Sequence, residues 1–104
     1  MVIDRPVKAG ATTVTGRALA GVVIAIENVT TMGDELGSVV VGPDGRFSVS
    51  VPPLEANIRL GLLVKDTGSS GKTIDDFNGA QYRGPGGMMV PQVGYFVDTV
   101  SVQP

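Results

Sequence analysis

Residues 47–51 read Phe-Ser-Val-Ser-Val, and this short stretch decides the fold class. Apolar and hydroxyl side chains alternate, so Phe47, Val49 and Val51 share one face and the two serines share the other. Because successive side chains of a β-strand point to opposite faces, the period of two predicts a strand that is buried on one side and exposed on the other.

The same alternation recurs on both sides of this strand. Further strands are predicted around residues 12–15, 21–28, 37–41, 58–64 and 95–102. Their predicted inward side chains are Val22, Ile24, Ile26, Val39, Val41, Ile58, Leu60, Leu62, Val64, Phe96, Val100 and Val102. The side chains predicted to face outward from the second of these strands are Val23, Ala25 and Glu27. Strands that recur about every ten residues predict an all-β fold, an antiparallel β-sandwich of about six to seven strands.

The connection between the strands at residues 37–41 and 47–51 has the residues of a tight turn. Gly42-Pro43-Asp44-Gly45 places proline second and glycine fourth, as a type I turn prefers. We predict that this turn joins the two strands as a hairpin. Pro52-Pro53 ends the second strand, because neither residue can donate a hydrogen bond to a neighbouring strand.

The composition favours one domain, residues 1–104, and argues against several functions. The chain holds 17 Val and 8 Thr but only three Glu and three Lys, whereas helical bundles are rich in charged helix formers. Hydrophobic residues make up 42% and charged residues 17%, which disfavours disorder. There is no Cys and no His, so the usual zinc, thiol and Ser-His-Asp chemistries lack their groups. We predict a protein that is not an enzyme and uses no cofactor or metal.

The charge pattern limits the partners. Eight basic and ten acidic residues give a net charge of -2, and no basic stripe with stacking aromatics appears, so no nucleic-acid partner is predicted. The longest apolar runs, such as residues 22–26, are too short to cross a bilayer. Residues 1–20 show no continuous apolar segment of a signal peptide. We predict no membrane insertion and a monomer for the isolated domain.

Three segments together carry a family resemblance. Residues 14–26 contain Val-Thr-Gly-Arg-Ala followed by Ala-Gly-Val-Val-Ile-Ala-Ile, and residues 43–49 read Pro-Asp-Gly-Arg-Phe-Ser-Val. Asp66-Thr67-Gly68-Ser69 follows a further strand. This pattern resembles bacterial immunoglobulin-like domains, with Ser69 where that family often has Asn. Carboxypeptidase-regulatory-like domains share part of the pattern but usually continue with Pro-Gly-Tyr, which is absent after residue 51.

The resemblance implies a function that composition does not show. Bacterial immunoglobulin-like domains typically serve as spacer or adhesion modules of larger cell-surface or secreted proteins. It therefore implies an extracellular or cell-envelope location, with neighbouring domains of the same protein as the main partners. The resemblance covers roughly residues 7–70.

The resemblance does not cover most of the glycine-rich insertion, which we define as residues 66–94. It holds seven of the fifteen glycines and follows no sustained period. Residues 73–77 are predicted to form a helical turn capped by Thr73 and ended by Asn78-Gly79. Long loops in small domains are often functional, so residues 71–93 are an alternative binding site for carbohydrate or protein. The candidate contact residues are Phe77, Tyr82, Arg83, Met88 and Met89.

Asp98 is the most unusual charged residue of the sequence. It shares its strand face with Phe96 and Val100, so the alternation predicts a carboxylate turned toward the core. A buried carboxylate is costly unless it is paired. Three outcomes are open: ordinary hydrogen bonds, a bulge that turns Asp98 outward, or an isopeptide bond to Lys8.

Two further motifs suggest ligands. Residues 66–73 nearly match the phosphate-binding pattern G-x-x-x-x-G-K-[ST], but Asp66 replaces the first glycine and would repel a phosphate. Seven aspartates offer oxygen ligands for calcium, yet no D-x-D-x-D-G spacing appears. We therefore interpret residues 66–73 as a polar loop and Asp75-Asp76 as the start of a helical turn.

Overall fold

The computed structural model describes all of residues 1–104 and confirms an all-β protein. Ten strands follow one another along the chain: β1 Val2–Ile3, β2 Val7–Lys8, β3 Thr13–Arg17, β4 Val23–Asn28, β5 Asp34–Val40, β6 Arg46–Ser50, β7 Arg59–Asp66, β8 Met88–Val90, β9 Gly94–Phe96 and β10 Asp98–Gln103. The helical segments are two short 3₁₀ turns, Val29–Thr31 and Ile74–Asn78. Neither turn has the length and apolarity needed to span a membrane as a helix.

The strands form two main sheets and one small hairpin. One sheet has the order β1-β3-β6, the other has the order β2-β10-β7-β4-β5, and β8 pairs with β9. The prediction of a purely antiparallel arrangement is wrong at one place, because β2 runs parallel to β10 with Val7 opposite Val102. This pair arises because the first strand is split: β1 joins one sheet, and β2 crosses to the other. These short strands and the β8–β9 hairpin raise the count above the predicted six to seven.

The core lies between the two main sheets. It is formed mainly by side chains that the period of two predicted to face inward. Val22, Ile24, Ile26, Val41, Phe47, Val49, Val51, Leu60, Leu62 and Val102 are all buried, whereas Ser48 and Ser50 are exposed. The predicted inward residues Val39, Ile58, Val64 and Val100 are partly buried and pack against this cluster. Removal of this apolar surface from water is the main driving force of the fold.

The turn at residues 42–45 forms, but it does not make a hairpin. The Gly45 N–H donates to the Gly42 carbonyl at 2.9 Å, as a tight turn requires. However, β5 pairs with β4 and β6 pairs with β3, so the turn carries the chain from one sheet to the other. The prediction of a hairpin is wrong because local turn chemistry is the same for a hairpin and for an arch between sheets.

β9 and the insertion cover part of the outer face of the five-stranded sheet. Gly61 lies on that face, and a Cβ placed there would collide with the ring of Phe96 and come within 2.8 Å of Val29. A Cβ placed at Gly33 would likewise collide with the Val93 side chain, and it would lie 3.1 Å from Glu27 Oε1.

Because the outer face of the sheet is covered, Ala25 and Phe96 are buried in places that the sequence did not predict. Ala25 was predicted to face outward into solvent but is fully buried, because its face of the sheet is covered. Phe96 is buried against the outer face at Gly61 rather than in the inner core, because the chain bends at Val97 between β9 and β10. Val97 joins the inner core cluster in its place.

Replacement of Gly61 by valine is expected to lower the free energy of unfolding by about 1–3 kcal/mol, since a side chain there forces Phe96 off the sheet. The measurement is urea denaturation followed by circular dichroism. Ser48→Val, which adds a β-branched side chain on the exposed face of β6, is the control and should change stability by less than about 0.5 kcal/mol. Equal effects of the two variants would contradict the packing described here.

Candidate functional site

The insertion is attached to the two main sheets through Asp98, the first residue of β10. Its Oδ2 accepts hydrogen bonds from the Ile3 N–H at 2.8 Å and from Arg5 Nη1 at 2.9 Å. Its Oδ1 accepts from Arg5 Nη2 at 2.9 Å and from the Gly86 N–H at 2.8 Å. The fully buried carboxylate thus joins three parts of the chain: the first strand, the last strand and the insertion.

This arrangement decides between the three outcomes that the sequence left open for Asp98. No bulge turns the residue outward; it faces the core and accepts ordinary hydrogen bonds. Its cationic partner is Arg5, which pairs with the carboxylate at 2.9 Å. Lys8 is exposed on β2, where it lies opposite Gln103. The proposed isopeptide partner is therefore not the residue that contacts Asp98.

The electrostatics of the site favour the ionised pair. Burial alone raises the pKa of Asp98, but Arg5 and the N–H groups of Ile3 and Gly86 outweigh burial and hold that pKa below its ordinary value. The hydrogen bonds to Asp98 raise the pKa of Arg5 in turn. Arg5 also donates to the carbonyls of Ile3 and Thr99, both at 2.7 Å, so the guanidinium is held in one orientation.

The lowered pKa of Asp98 predicts that the pair stabilises the fold at neutral pH and that acid removes this contribution. The stabilisation is complete above the ordinary aspartate pKa of about 4 and is lost as the pH falls through the lower, folded-state pKa. Burial and Glu35 raise the pKa of Glu27, so protonation of Glu27 acts in the opposite direction. The measurement is urea denaturation between neutral pH and strongly acidic pH, for the wild type and Asp98→Asn. Acid should destabilise the wild type more than the variant, and parallel curves would contradict the assignment.

A second set of contacts places the insertion along the edge of β10. The Gly84 N–H donates to the Val97 carbonyl at 2.7 Å, and the Thr99 hydroxyl donates to the Gly86 carbonyl at 2.6 Å. A Cβ at Gly86 would collide with the Thr99 carbonyl, so only glycine allows this close approach. The segment protects an edge of β10 that β2 leaves uncovered, since β2 pairs only with the far end of β10.

The predicted helical turn provides the third attachment. It forms as the 3₁₀ segment Ile74–Asn78, with Thr73 as its N-cap. The carboxylate of Asp76 accepts from the Thr73 N–H at 2.8 Å, which gives this residue its local role. Phe77 is 2% exposed and packs on Tyr82 with ring centroids 4.9 Å apart. The turn therefore inserts an aromatic ring into the buried apolar cluster.

The five residues predicted to contact a ligand differ in their exposure to solvent. Phe77 is part of the core, and Tyr82 is half-buried against it. The exposed Arg83 donates to the Tyr95 hydroxyl at 3.0 Å, and its guanidinium lies 5.7 Å from the centre of the Tyr95 ring. Met88 is 38% exposed and Met89 is 63% exposed, both on β8. Only Arg83 and the two methionines therefore present much surface to a partner.

A surface cavity lies where the insertion meets β7. Its volume is about 290 Å³, and its lining is mainly apolar, with Leu63, Ile74, Val93 and Tyr95 among the lining residues. Leu63, Ile74 and Val93 are not among the contact residues predicted from the sequence. The three-residue spacing of Ile74 and Phe77 indicates that both side chains lie on one side of the turn. It does not indicate that this side faces β7, because that contact depends on the tertiary structure. The cavity is a mainly apolar recess at the surface.

The remaining motifs have local structural roles. In the loop after β7, the Asp66 carboxylate accepts from the Gly68 N–H at 2.7 Å, so an amide of the near-match to a phosphate loop is already bound to a carboxylate. The structure brings no group of three acidic side chains together in a way that could hold a metal ion. No protein-family model, curated protein or solved structure matches the chain.

Proposed function

We propose that the chain is an immunoglobulin-like β-sandwich whose first strand is split between the two sheets. In that fold, strands A, B and E lie in one sheet, and strands G, F and C lie in the other. In this chain, β1, β3 and β6 follow the first order, and β10, β7 and β4 follow the second, with β5 beside β4. This strand order supports the proposal independently of the sequence resemblance. On this correspondence, the insertion lies between strands F and G.

We further propose that the domain is a non-catalytic spacer or adhesion module of a larger bacterial cell-surface or secreted protein. The observation that carries this proposal is the connection between the first and last strands. β2 pairs in parallel with β10, and Arg5 binds the buried Asp98. A pull on the two ends of the domain therefore loads these contacts in shear, so that several must break together. That geometry suits a domain that transmits force between its neighbours.

Single-molecule stretching of tandem copies of the domain tests this role. Each copy should unfold in one abrupt step, and Arg5→Gln should lower the unfolding force because the Arg5–Asp98 contact is weakened. Lys65→Gln, which removes an exposed ion pair with Glu35 away from the first and last strands, is the matched control and should leave the force nearly unchanged. Gradual extension at low force, or equal effects of the two variants, would contradict the spacer proposal.

A second candidate function is protein binding through residues 71–93. In antibody variable domains, the loop between strands F and G is one of the antigen-binding loops. The cavity beside Ile74 and the exposed Met88 and Met89 support a protein partner, because methionines suit adaptable apolar contacts. A carbohydrate partner is less favoured, because sugar platforms need freely exposed aromatic rings, whereas Phe77 is buried and Tyr82 packs on it.

Backbone NMR relaxation tests whether the insertion is a preformed surface. Order parameters across residues 74–90 should be close to about 0.85, the value of rigid backbone, because the Asp98, Gly84 and Phe77 contacts hold the segment. Values for residues 47–49 of β6 provide the internal reference. Order parameters below about 0.6 throughout the insertion would contradict a preformed binding surface and leave the spacer role as the favoured function.

A further inference from the structure

We propose that Asn78 is a site of spontaneous deamidation that changes how the insertion is attached. Asn78 is the last residue of the 3₁₀ turn, is exposed, and is followed by Gly79. Glycine has no side chain to obstruct the approach of its own backbone nitrogen to the preceding amide. No hydrogen bond holds the Asn78 side chain, so its amide is free to rotate toward that nitrogen.

The other two asparagines lack this combination. Asn28 is half-buried, is followed by Val29, and accepts a hydrogen bond from the Thr31 N–H. Asn57 is exposed but is followed by Ile58, whose β-branched side chain crowds the backbone nitrogen. The chain thus contains one favourable site and two internal comparisons, which differ in burial and in the residue that follows.

The reaction needs no partner other than water. The Gly79 backbone nitrogen loses its proton and attacks the side-chain carbonyl carbon of Asn78, which closes a five-membered succinimide. The side-chain nitrogen leaves as ammonia and takes up a proton. Water then adds to one of the two ring carbonyls, and the ring opens to an aspartate or an isoaspartate. No oxidation or reduction takes place.

The local geometry permits the first step. The Gly79 N–H donates to the Asp76 carbonyl at a long 3.3 Å, so only a weak contact has to break. This contact belongs to the last turn of a five-residue 3₁₀ segment, and helix ends fray. Gly79 itself has an extended backbone with φ of −69°. The nitrogen is therefore accessible while the rest of the domain stays folded.

The product would weaken one attachment of the insertion. Asn78 directly follows Phe77, whose ring is buried, and it also borders the apolar cavity. The new carboxylate would lie beside Asp75 and Asp76 and near the C-terminal end of the turn, where negative charge is unfavourable. An isoaspartate also adds a methylene to the backbone and shifts the chain that leads to Tyr82. We expect the modified insertion to be more mobile than the original one.

The test is peptide mapping by mass spectrometry after the folded protein is kept in mildly alkaline buffer at body temperature. Conversion at position 78 should exceed that at positions 28 and 57 by about an order of magnitude, because only Asn78 precedes glycine. Gly79→Ala should slow the conversion, and Asn78→Gln should abolish it. In spectra of aged protein, amide signals of residues 74–83 should move or broaden, while those of β6 should not.

Three results would overturn the proposal. One is conversion at position 78 that is no faster than at position 57. Another is conversion that appears only after the protein is unfolded in urea, because the folded turn would then protect the site. The last is complete conversion with unchanged amide signals across residues 74–83, which would show that the modification leaves the insertion unaffected.

Discussion

Replacement of Asp98 by alanine is expected to lower the free energy of unfolding by about 3–5 kcal/mol, because it removes a fully buried carboxylate together with its four hydrogen bonds. The buried carboxylate satisfies two backbone N–H groups and both terminal nitrogens of Arg5. Its removal leaves the N–H groups of Ile3 and Gly86 without this acceptor and removes one of the contacts that join the first strand and the insertion to β10. Urea denaturation at neutral pH measures the change.

An exposed ion pair of the same protein provides the matched control. Lys65 and Glu35 approach to 3.0 Å, similar to the 2.9 Å between Arg5 and Asp98, but both side chains are largely exposed. Glu35→Ala should therefore cost at most about 1 kcal/mol. A double-mutant cycle of Arg5→Ala with Asp98→Ala should show strong coupling, because the two residues share several hydrogen bonds. Similar losses for Asp98→Ala and Glu35→Ala would contradict the role given to burial.

Phe96→Ala is expected to have an effect of similar size, about 3–5 kcal/mol, since it removes a fully buried aromatic ring. The ring lies on the outer face of the sheet at Gly61, which has no side chain of its own to fill the gap. The loss should come with increased amide exchange in β8 and β9, because the ring holds this hairpin against the sheet. Denaturation and hydrogen exchange measure the two effects.

Met89→Ala is the control for Phe96→Ala. Met89 belongs to the same hairpin and is 63% exposed, so its truncation should change stability by less than about 0.5 kcal/mol. If Phe96→Ala destabilised the domain no more than Met89→Ala, the hairpin would not be packed on the sheet as described. If stability fell but hydrogen exchange in β8 stayed unchanged, Phe96 would stabilise the five-stranded sheet without holding the hairpin.

The sequence predicted the inner core well because that core depends on a local property. Alternation at Phe47, Val49 and Val51 follows from the geometry of one strand, so it needs no knowledge of the partner strands. The same holds for the capped turn that begins after Thr73. These features were confirmed because neighbouring residues alone determine them.

The outer face was not predictable in the same way. Ala25 and Phe96 are buried because distant parts of the chain cover that face, and no local period records such cover. The partner of Asp98 is likewise remote, since Arg5 lies 93 residues away in the sequence. The alternation correctly marked Asp98 as inward-facing, but only the tertiary structure identifies what neutralises it. The sequence therefore indicated which segment holds the candidate site, but it did not indicate which residues contact one another there.

The position of β10 also has a consequence for the folding rate. β10 is the last strand of the chain, yet it pairs with β2 near the beginning and supplies the carboxylate that binds Ile3 and Arg5. Contacts between such distant residues require closure of long loops, so folding should be slow for a chain of this length. During synthesis, β7 lacks its neighbour β10 until the insertion and β10 itself have also been made. In that interval its unpaired edge is open to association with other chains.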